Sequence, residues 1–418
     1  MDPTVPVVIV GAGLSGLSCA RYLNEADVPC VLLEASNDVG GCVRTDEIDG
    51  FRCDRGFQVL LTAYPEAQRQ FDYDELQLRS FIPGSIIWRK GSFHRFVDPW
   101  RRPLDGLRSV FGGVGSFMDR FRVARLRWRS THGTMNDIFN QPETTTDQAL
   151  RGYGFTNEMI DVFFRPFLGG VFLERELKTS SRVLHFVFRM FSTGNAALPR
   201  NGMQAIPRQM ASRLPSDCVR LESPVRELSG TSVTLTNGEQ ISASHVVLAT
   251  DAETASALMG EAPPKPSRRV RCLYFAADQA PVAEPILILN GDGHGPINNL
   301  CVPSNAASDY APADQHLISV SVVESSLEDE ALTNEVVKQA TSWFGPGVTK
   351  WRLIKTYDIP KALPDQLAGA DTQPGHSVEK NGVIVCGDHV GNASIQSALE
   401  SGRHAAERIV DSRSAAAT

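Results

Sequence analysis

The sequence predicts an α/β protein: a Rossmann-type dinucleotide-binding domain with an inserted α+β domain. Three observations carry this. A β-branched run, Val7–Val10, passes directly into Gly11-Ala12-Gly13-Leu14-Ser15-Gly16. A second apolar run, Cys30–Leu33, ends at Glu34, which completes a βαβ pattern with an acidic residue about 20 positions past the glycines. A third apolar run, residues 382–386, lies far along the chain and passes into Gly387-Asp388.

Each part of the first unit has a physical reason. Gly11 makes a tight turn, Gly13 lets backbone approach a pyrophosphate, and Gly16 lets the following helix pack closely. The helix, expected over residues 17–24, would present free N–H groups and its positive dipole end to phosphates. Glu34 would accept hydrogen bonds from ribose hydroxyls. This unit alone leaves open whether the nucleotide is NAD or FAD.

Composition fits a large soluble enzyme. The chain has 418 residues, 42% hydrophobic and 21% charged, and a length that suits two domains. A net charge of −7 argues against a nucleic-acid partner. The eight cysteines form no CxxC pair, and the histidines fall at no metal-ligand spacing, so no metal is expected. Cys19, Cys30 and Cys386 lie in apolar runs and read as reduced core thiols, which points to the cytoplasm. Residues 5–20 are apolar, but no basic stretch precedes them and glycines interrupt them, so they are not read as a secretion signal. No run reaches about 18 apolar residues, so no membrane span is expected.

The next segment bears on the nucleotide. Val39-Gly40-Gly41-Cys42-Val43-Arg44-Thr45 follows Glu34. The pattern E-x5-GGxxR[ST] resembles the extended motif of the flavin amine oxidase superfamily, in the branch of protoporphyrinogen oxidases and phytoene desaturases. Many amine oxidases carry GGR, and Cys42 stands where that Arg would be. The resemblance implies non-covalent FAD, with Gly11 to Gly16, Glu34, Ala35, Gly40, Gly41 and Arg44 around its adenosine and pyrophosphate. It also implies that a D-x-G turn brings Gly56, Phe57 and Gln58 near the flavin ring.

Later segments resemble the same family in the same order. Leu198-Pro199-Arg200-Asn201-Gly202-Met203 precedes a helix, and a strand over residues 218–222 leads to Val225, which the resemblance places at the adenine. Residues 232–242 form a predicted hairpin in which Asn237-Gly238 supplies two positive-φ residues. Residues 246–249 return to the main sheet. After Gly387-Asp388, Ser394-Ile395-Gln396 opens a helix to about residue 410. By resemblance Asp388 binds the ribityl chain, and the helix N-terminus points at the flavin pyrimidine end. No cysteine lies between Cys301 and Cys386, where the family's covalent flavin link would fall.

The cofactor domain is thus expected from residues 1–78, 196–262 and 378–418, and the substrate domain from 79–195 and 263–377. The first insertion reads as helical and aromatic. The second contains strand-like runs at 271–277 and 317–323, a helix at 334–344, and a segment from Trp351 to Pro364 that resembles the family's late W…A-[LI]-P stretch.

Two features bear on the substrate. Residues 98–129 hold eight arginines and three aspartates, with Phe117, Phe121, Ala124 and Trp128 at helical spacing. Residues 117–129 read either as a basic helix at a membrane surface or as a core-packed helix with a solvated Arg face. Arg271 lies on the strand where many amine oxidases carry a Lys near flavin N5. It is the candidate catalytic residue, although an Arg stays protonated and makes a poor base; an edge-strand surface role is equally open.

The expected function is FAD-dependent dehydrogenation of an apolar, isoprenoid-like or porphyrin-like molecule, by hydride transfer to flavin N5. Reoxidation would follow by O2 or a quinone. The alternatives are an amine oxidase, a redox-neutral FAD-dependent isomerase, and an escort-type binding protein on the same fold. There is no second GxGxxG unit for NAD(P)H and no redox CxxC, which argues against a pyridine-nucleotide disulfide reductase.

Overall fold

The computed structural model describes residues 5–102, 114–370 and 375–417. The part of the basic tract at 103–113 lies outside the described residues. At its centre is a six-stranded sheet in the spatial order Val219–Arg220, Cys30–Leu33, Val7–Val10, Val246–Leu248, Val383–Val385, Val378–Lys380. The first five strands run parallel and the last runs antiparallel. Val7, Val8 and Ile9 are wholly buried, which is why a continuous β-branched run, rather than an alternating one, forms this strand. Val7–Val10 pairs with Cys30–Leu33 on one side and Val246–Leu248 on the other, so the order reverses there. A crevice opens at the carboxyl ends of parallel strands at such a point.

Two long helices, Leu14–Glu25 and Ile395–Ala417, pack together against this sheet. Ser18 Oγ donates to the Leu399 carbonyl at 2.7 Å. A Cβ at Gly402 would lie 2.1 Å from the Ser15 carbonyl oxygen, so the crossing requires glycine.

The hairpin of residues 232–242 forms, with a different turn from the expected one. Gly238 has φ +89°, whereas Asn237 is not among the positive-φ residues. The loop has three residues, with the glycine in the left-handed position after a tight turn, so one positive-φ residue suffices. The two-residue turn with both φ positive occurs at Lys90 (φ +47°) and Gly91 (φ +79°). It joins Gly84–Arg89 to Ser92–Val97.

That second hairpin belongs to a seven-stranded sheet, ordered Arg352–Leu363, Arg268–Ala277, His316–Val323, Ile297–Cys301, Leu287–Asn290, Gly84–Arg89, Ser92–Val97. The two insertions therefore share one sheet. One of its faces is sealed by the Asp329–Phe344 helix, through Leu332, Val336, Ala340 and Trp343. The other faces a cavity roofed by helices that include Phe117–Thr131, Arg165–Phe172 and Ser181–Thr193. All eight cysteines are free. Among the described residues no helix is long and apolar enough to cross a membrane.

Candidate functional site

The crevice beside Val7–Val10 is built from two glycine loops lying side by side. Gly11 N–H donates to the Leu33 carbonyl at 2.8 Å, and Gly11 has φ +104°. A Cβ at Gly16 would sit 2.0 Å from the Gly11 carbonyl oxygen, so the helix that contains Leu14 and Ser15 is drawn tightly onto the loop. A Cβ at Gly13 would meet nothing within 4 Å: this is the open side of the loop. The second loop closes against it. Gly40 N–H donates to the Ala12 carbonyl at 2.8 Å, and a Cβ at Gly41 would lie 3.3 Å from Gly13 Cα.

Glu34 stands at the end of Cys30–Leu33. Its carboxylate accepts from Ala12 N at 2.8 Å, Ser36 N at 2.9 Å and Ser36 Oγ at 2.7 Å. A carboxylate has about four acceptor sites, so one remains for a ligand hydroxyl. Ala35, next to it, is exposed. Ser223 N–H donates to the Glu34 carbonyl at 2.8 Å, which brings the strand of Val225 to the same end of the crevice.

At the other end, Gly387 (φ +154°) leads into Asp388, whose carboxyl burial pushes up to about 6. The Ile395–Ala417 helix begins just beyond. Ser394 Oγ accepts from Ser397 N at 3.1 Å, which leaves the backbone N–H groups of Ile395 and Gln396 at its free end. The Gln396 side chain is committed elsewhere, with Oε1 accepting from Glu66 N at 2.8 Å. Only its backbone can serve a ligand. His389, at the start of this stretch, buries Nδ1 without a partner.

Gly56, Phe57 and Gln58 line the junction between crevice and cavity. A Cβ at Gly56 would come within 2.8 Å of Ile359 Cδ1. Asp54 anchors this turn from beneath, accepting from Thr45 Oγ1, Met203 N and Tyr310 OH at 2.5, 3.0 and 2.9 Å. Gln58 Nε2 donates to the Cys42 carbonyl at 2.9 Å and ties the turn to the second glycine loop.

The fit to a flavin dinucleotide can be tested on groups that the fold leaves unsatisfied. Arg44 donates from Nη2 to Asn37 at 3.0 Å, but its buried Nε has no partner. Asn392, beside Asp388 on the cavity wall, buries an unpartnered Nδ2. An orphaned guanidinium N–H beside two glycine loops and an orphaned amide beside the last helix suit phosphate and a polar ring edge.

The cavity has a volume of about 1310 Å³. Typical ligand pockets hold roughly 300–1,000 Å³, so there is room for more than one occupant. It runs from Gly41, Gly56, Asp388 and Ser394 to the Phe117–Thr131 helix. Aromatic rings form its walls. Phe96 and Phe163 lie 4.4 Å apart, Phe163 stacks on Phe167 at 5.5 Å, and Phe167 meets Phe191 at 5.3 Å. A π-helical turn over Ile160–Phe164, closed by Arg165 N–H to the Ile160 carbonyl, precedes Pro166. Proline has no N–H to continue the ladder. The extra residue in this turn accompanies two faces: Phe163 on the cavity and Phe164 in the core.

Arg271 is not in the cavity. Side chains alternate along a strand, and Val270 lines the cavity, so Arg271 points to the other face. There it is buried against the Asp329 carboxylate and the Leu327 carbonyl. The expectation failed by one residue of strand parity. Lysines do reach the cavity lining from the neighbouring strand: Lys361, and Lys355, with Nζ 5.9 Å from the centre of the Tyr357 ring. Lys355 sits opposite Tyr274 in an adjacent strand, a register that the sequence does not display.

The flavin containing amine oxidoreductase model matches residues 14–410. The chain belongs to this family. FAD is accordingly the cofactor of the crevice, and Arg44, Asn392 and the two glycine loops fit it. Protoporphyrinogen oxidase 2 of Arabidopsis thaliana is 28% identical over 166 residues, covering 39% of this chain and 32% of the relative. The 15-cis-phytoene desaturase of Capsicum annuum is 36% identical over 121 residues, 26% and 20% of the two chains. Phytoene dehydrogenase of Streptomyces griseus is 26% identical over 297 residues, 63% and 58%. These matches span less than two thirds of each relative. Among solved structures, putrescine oxidase bound to putrescine aligns with TM-score 0.71 at 18% identity, over 97% and 99% of the two chains. Reduced UDP-galactopyranose mutase aligns with TM-score 0.67 at 16% identity, over 98% and 96%. At such identities these likenesses establish the shared fold.

Proposed function

We propose that the protein dehydrogenates an apolar small molecule, of the isoprenoid or porphyrinogen type, in the cavity that joins the FAD crevice to the Phe117–Thr131 helix. The observation that carries this is the cavity wall. Its rings are apolar, and three of the four carboxylates on its lining are each neutralised by an arginine: Asp46 by Arg55 at 3.0 Å, Asp98 by Arg127 at 2.8 Å, and Asp358 by Arg269; the fourth, Asp388, stands at the cofactor end. A site for an ammonium substrate would keep a carboxylate free. Curated relatives named for protoporphyrinogen and phytoene support the same substrate class.

Bound FAD supplies a two-electron acceptor at its ring. The chain's own residues hold and enclose. Gly11 to Gly16 with Glu34 and Val225 hold the adenosine half, and Gly40, Gly41 and Arg44 the pyrophosphate. Asp388 with the backbone N–H groups of Ile395 and Gln396 holds the ribityl and ring end. Gly56 and Phe57 set the floor against which a substrate would lie, and the Phe163 and Phe167 rings exclude water. We assign residues 1–78, 196–262 and 378–418 to cofactor binding and 79–195 and 263–377 to the substrate. O2 or a quinone would take the electrons.

The Phe117–Thr131 helix gives the cavity its mouth. Phe117, Phe121 and Trp128 are 63%, 57% and 60% exposed, while Asp119, Leu126 and Ser130 on the opposite side are buried. The aromatic stripe is therefore not packed into a core. Phe117 and Phe121 also line the cavity. An exposed aromatic stripe interleaved with arginines suits peripheral contact with an anionic bilayer, from which an apolar substrate could enter a protein otherwise at home in the cytoplasm.

Anaerobic bleaching of the flavin tests the substrate class. Carotenoid precursors or porphyrinogens should bleach it, and mono- and polyamines should not. Bleaching by an amine alone would overturn the reading. Flotation with anionic vesicles tests the helix: binding that survives Phe121→Ser and Trp128→Ser together would remove its role.

A further inference from the structure

The seven-stranded sheet has one face whose composition the fold explains and one whose composition it does not. Leu273, Phe275, Leu300, Ile318 and Val320 meet the Asp329–Phe344 helix in an apolar core, with the Arg271–Asp329 ion pair at its edge. On the cavity face, Asn299 and Ser321 sit opposite each other on neighbouring strands. Opposite residues share a face and lie within side-chain contact. They are only 4% and 6% exposed.

The Asn299 amide is oriented by its neighbours. Asn298 Nδ2 donates to Asn299 Oδ1 at 2.9 Å and to the Pro166 carbonyl at 3.0 Å. The Arg165–Phe172 helix presses on the same oxygen: a Cβ at Gly170 would lie 2.8 Å from it. With Oδ1 engaged, Nδ2 is the group left for the cavity. Among the described residues neither Asn299 Nδ2 nor Ser321 Oγ has a protein hydrogen-bond partner. Ser85, on the same face, also buries its hydroxyl without one. Unpartnered polar groups on a ligand wall are the ones a ligand can satisfy.

We infer that Asn299 and Ser321 form a hydrogen-bonding notch that receives an uncharged oxygen, a carbonyl or a hydroxyl, on an otherwise apolar substrate. An amide N–H and a hydroxyl can converge on one such oxygen. Neither side chain carries the charge that an ionised group would require. This rests on the cavity being the substrate site, and it narrows the apolar class proposed above to molecules that carry an uncharged oxygen.

The test uses the FAD-loaded full chain with 2-decanone, decane and decanoate. Binding is read from the flavin absorbance band and from the ligand-induced shift in Tm. Comparing variants cancels the transfer of each probe out of water. Asn299→Leu should weaken 2-decanone about tenfold and leave decane unchanged or tighter, and Ser321→Ala should weaken the ketone about threefold. Should Asn299→Leu lose its flavin or unfold, Ser321→Ala decides. Equal loss for ketone and decane, or no loss for either, would overturn the notch while the cavity stands. A larger loss for decanoate than for the ketone would overturn its neutrality. If no probe moves the flavin band or Tm of the unaltered protein, the cavity reading fails and the notch falls with it.

Discussion

The glycine crevice and the aromatic cavity adjoin, yet they are made of different material. The crevice is backbone: Gly11, Gly16 and Gly40 leave no room for a Cβ and Gly41 leaves little, and its donors are mostly main-chain N–H groups. The cavity is side chain: Phe96, Phe163 and Phe167 set its width, and side chains such as Asn299 and Ser321 supply polar atoms. Main-chain geometry cannot be altered without moving a strand, whereas a ring can be exchanged for another. The cofactor is therefore fixed by the fold, and the substrate by residues that can change within it.

That contrast makes the crevice the place of largest effect. Gly16→Val should abolish flavin retention, because its side chain would overlap the Gly11 carbonyl. The flavin absorbance per protein after purification checks this, and normal retention would break the contrast at its strongest point. In the cavity, Phe163→Ala should cost about 3 kcal/mol of unfolding free energy, from a lost, largely buried ring of the cavity wall, yet leave flavin content unchanged. Denaturant unfolding and absorbance together separate the two effects.

The mouth should respond less. Burial opposes charge on Asp119, but hydrogen bonds from Thr156 and Ser116 outweigh it and hold its pKa down to about 2. Those bonds cap the Phe117–Thr131 helix and fasten it to Thr156. Asp119→Ala should cost about 2 kcal/mol and loosen the mouth without loss of flavin. Hydrogen exchange confined to the helix checks this. Its folded pKa is depressed, so its contribution is present above the unfolded value of roughly 4 and fades as pH falls toward 2.

The smallest effect is one of pH. Asp388 has the opposite sign, its folded pKa of about 6 lying above the unfolded value of roughly 3.9. The folded state then binds the extra proton, so stability rises as pH falls through that window. Between pH 7 and pH 5, cofactor-free protein should gain about 1 kcal/mol relative to Asp388→Asn. A difference that does not vary with pH would place Asp388 in solvent rather than in the crevice.

The same division explains what the sequence disclosed. Val7–Val10, Cys30–Leu33 and the glycines between them are contiguous, so their pattern is visible in one stretch of chain. The cavity depends on register between distant strands. Whether Val270 or Arg271 faces the ligand turns on the parity of one strand, and Lys355 and Asn299 acquire neighbours only through pairing. The aromatic stripe of the Phe117–Thr131 helix was legible, but not its direction, since an exposed stripe and a packed one have the same spacing. The Gly84–Arg89 hairpin gave no sign that it completes a sheet begun by the second insertion.

Val8 pairs with Val246, and Val246 in turn with Val383. During synthesis, at about 5–20 residues per second, the first strand waits roughly 10 to 50 seconds for its inner neighbour. Its valine-rich edge is meanwhile a template for wrong pairing. Flavin cannot be held until the strand at Val383–Val385 and the helix after it have arrived, so cofactor supply and chaperone capacity should together limit the yield of active protein in a cell.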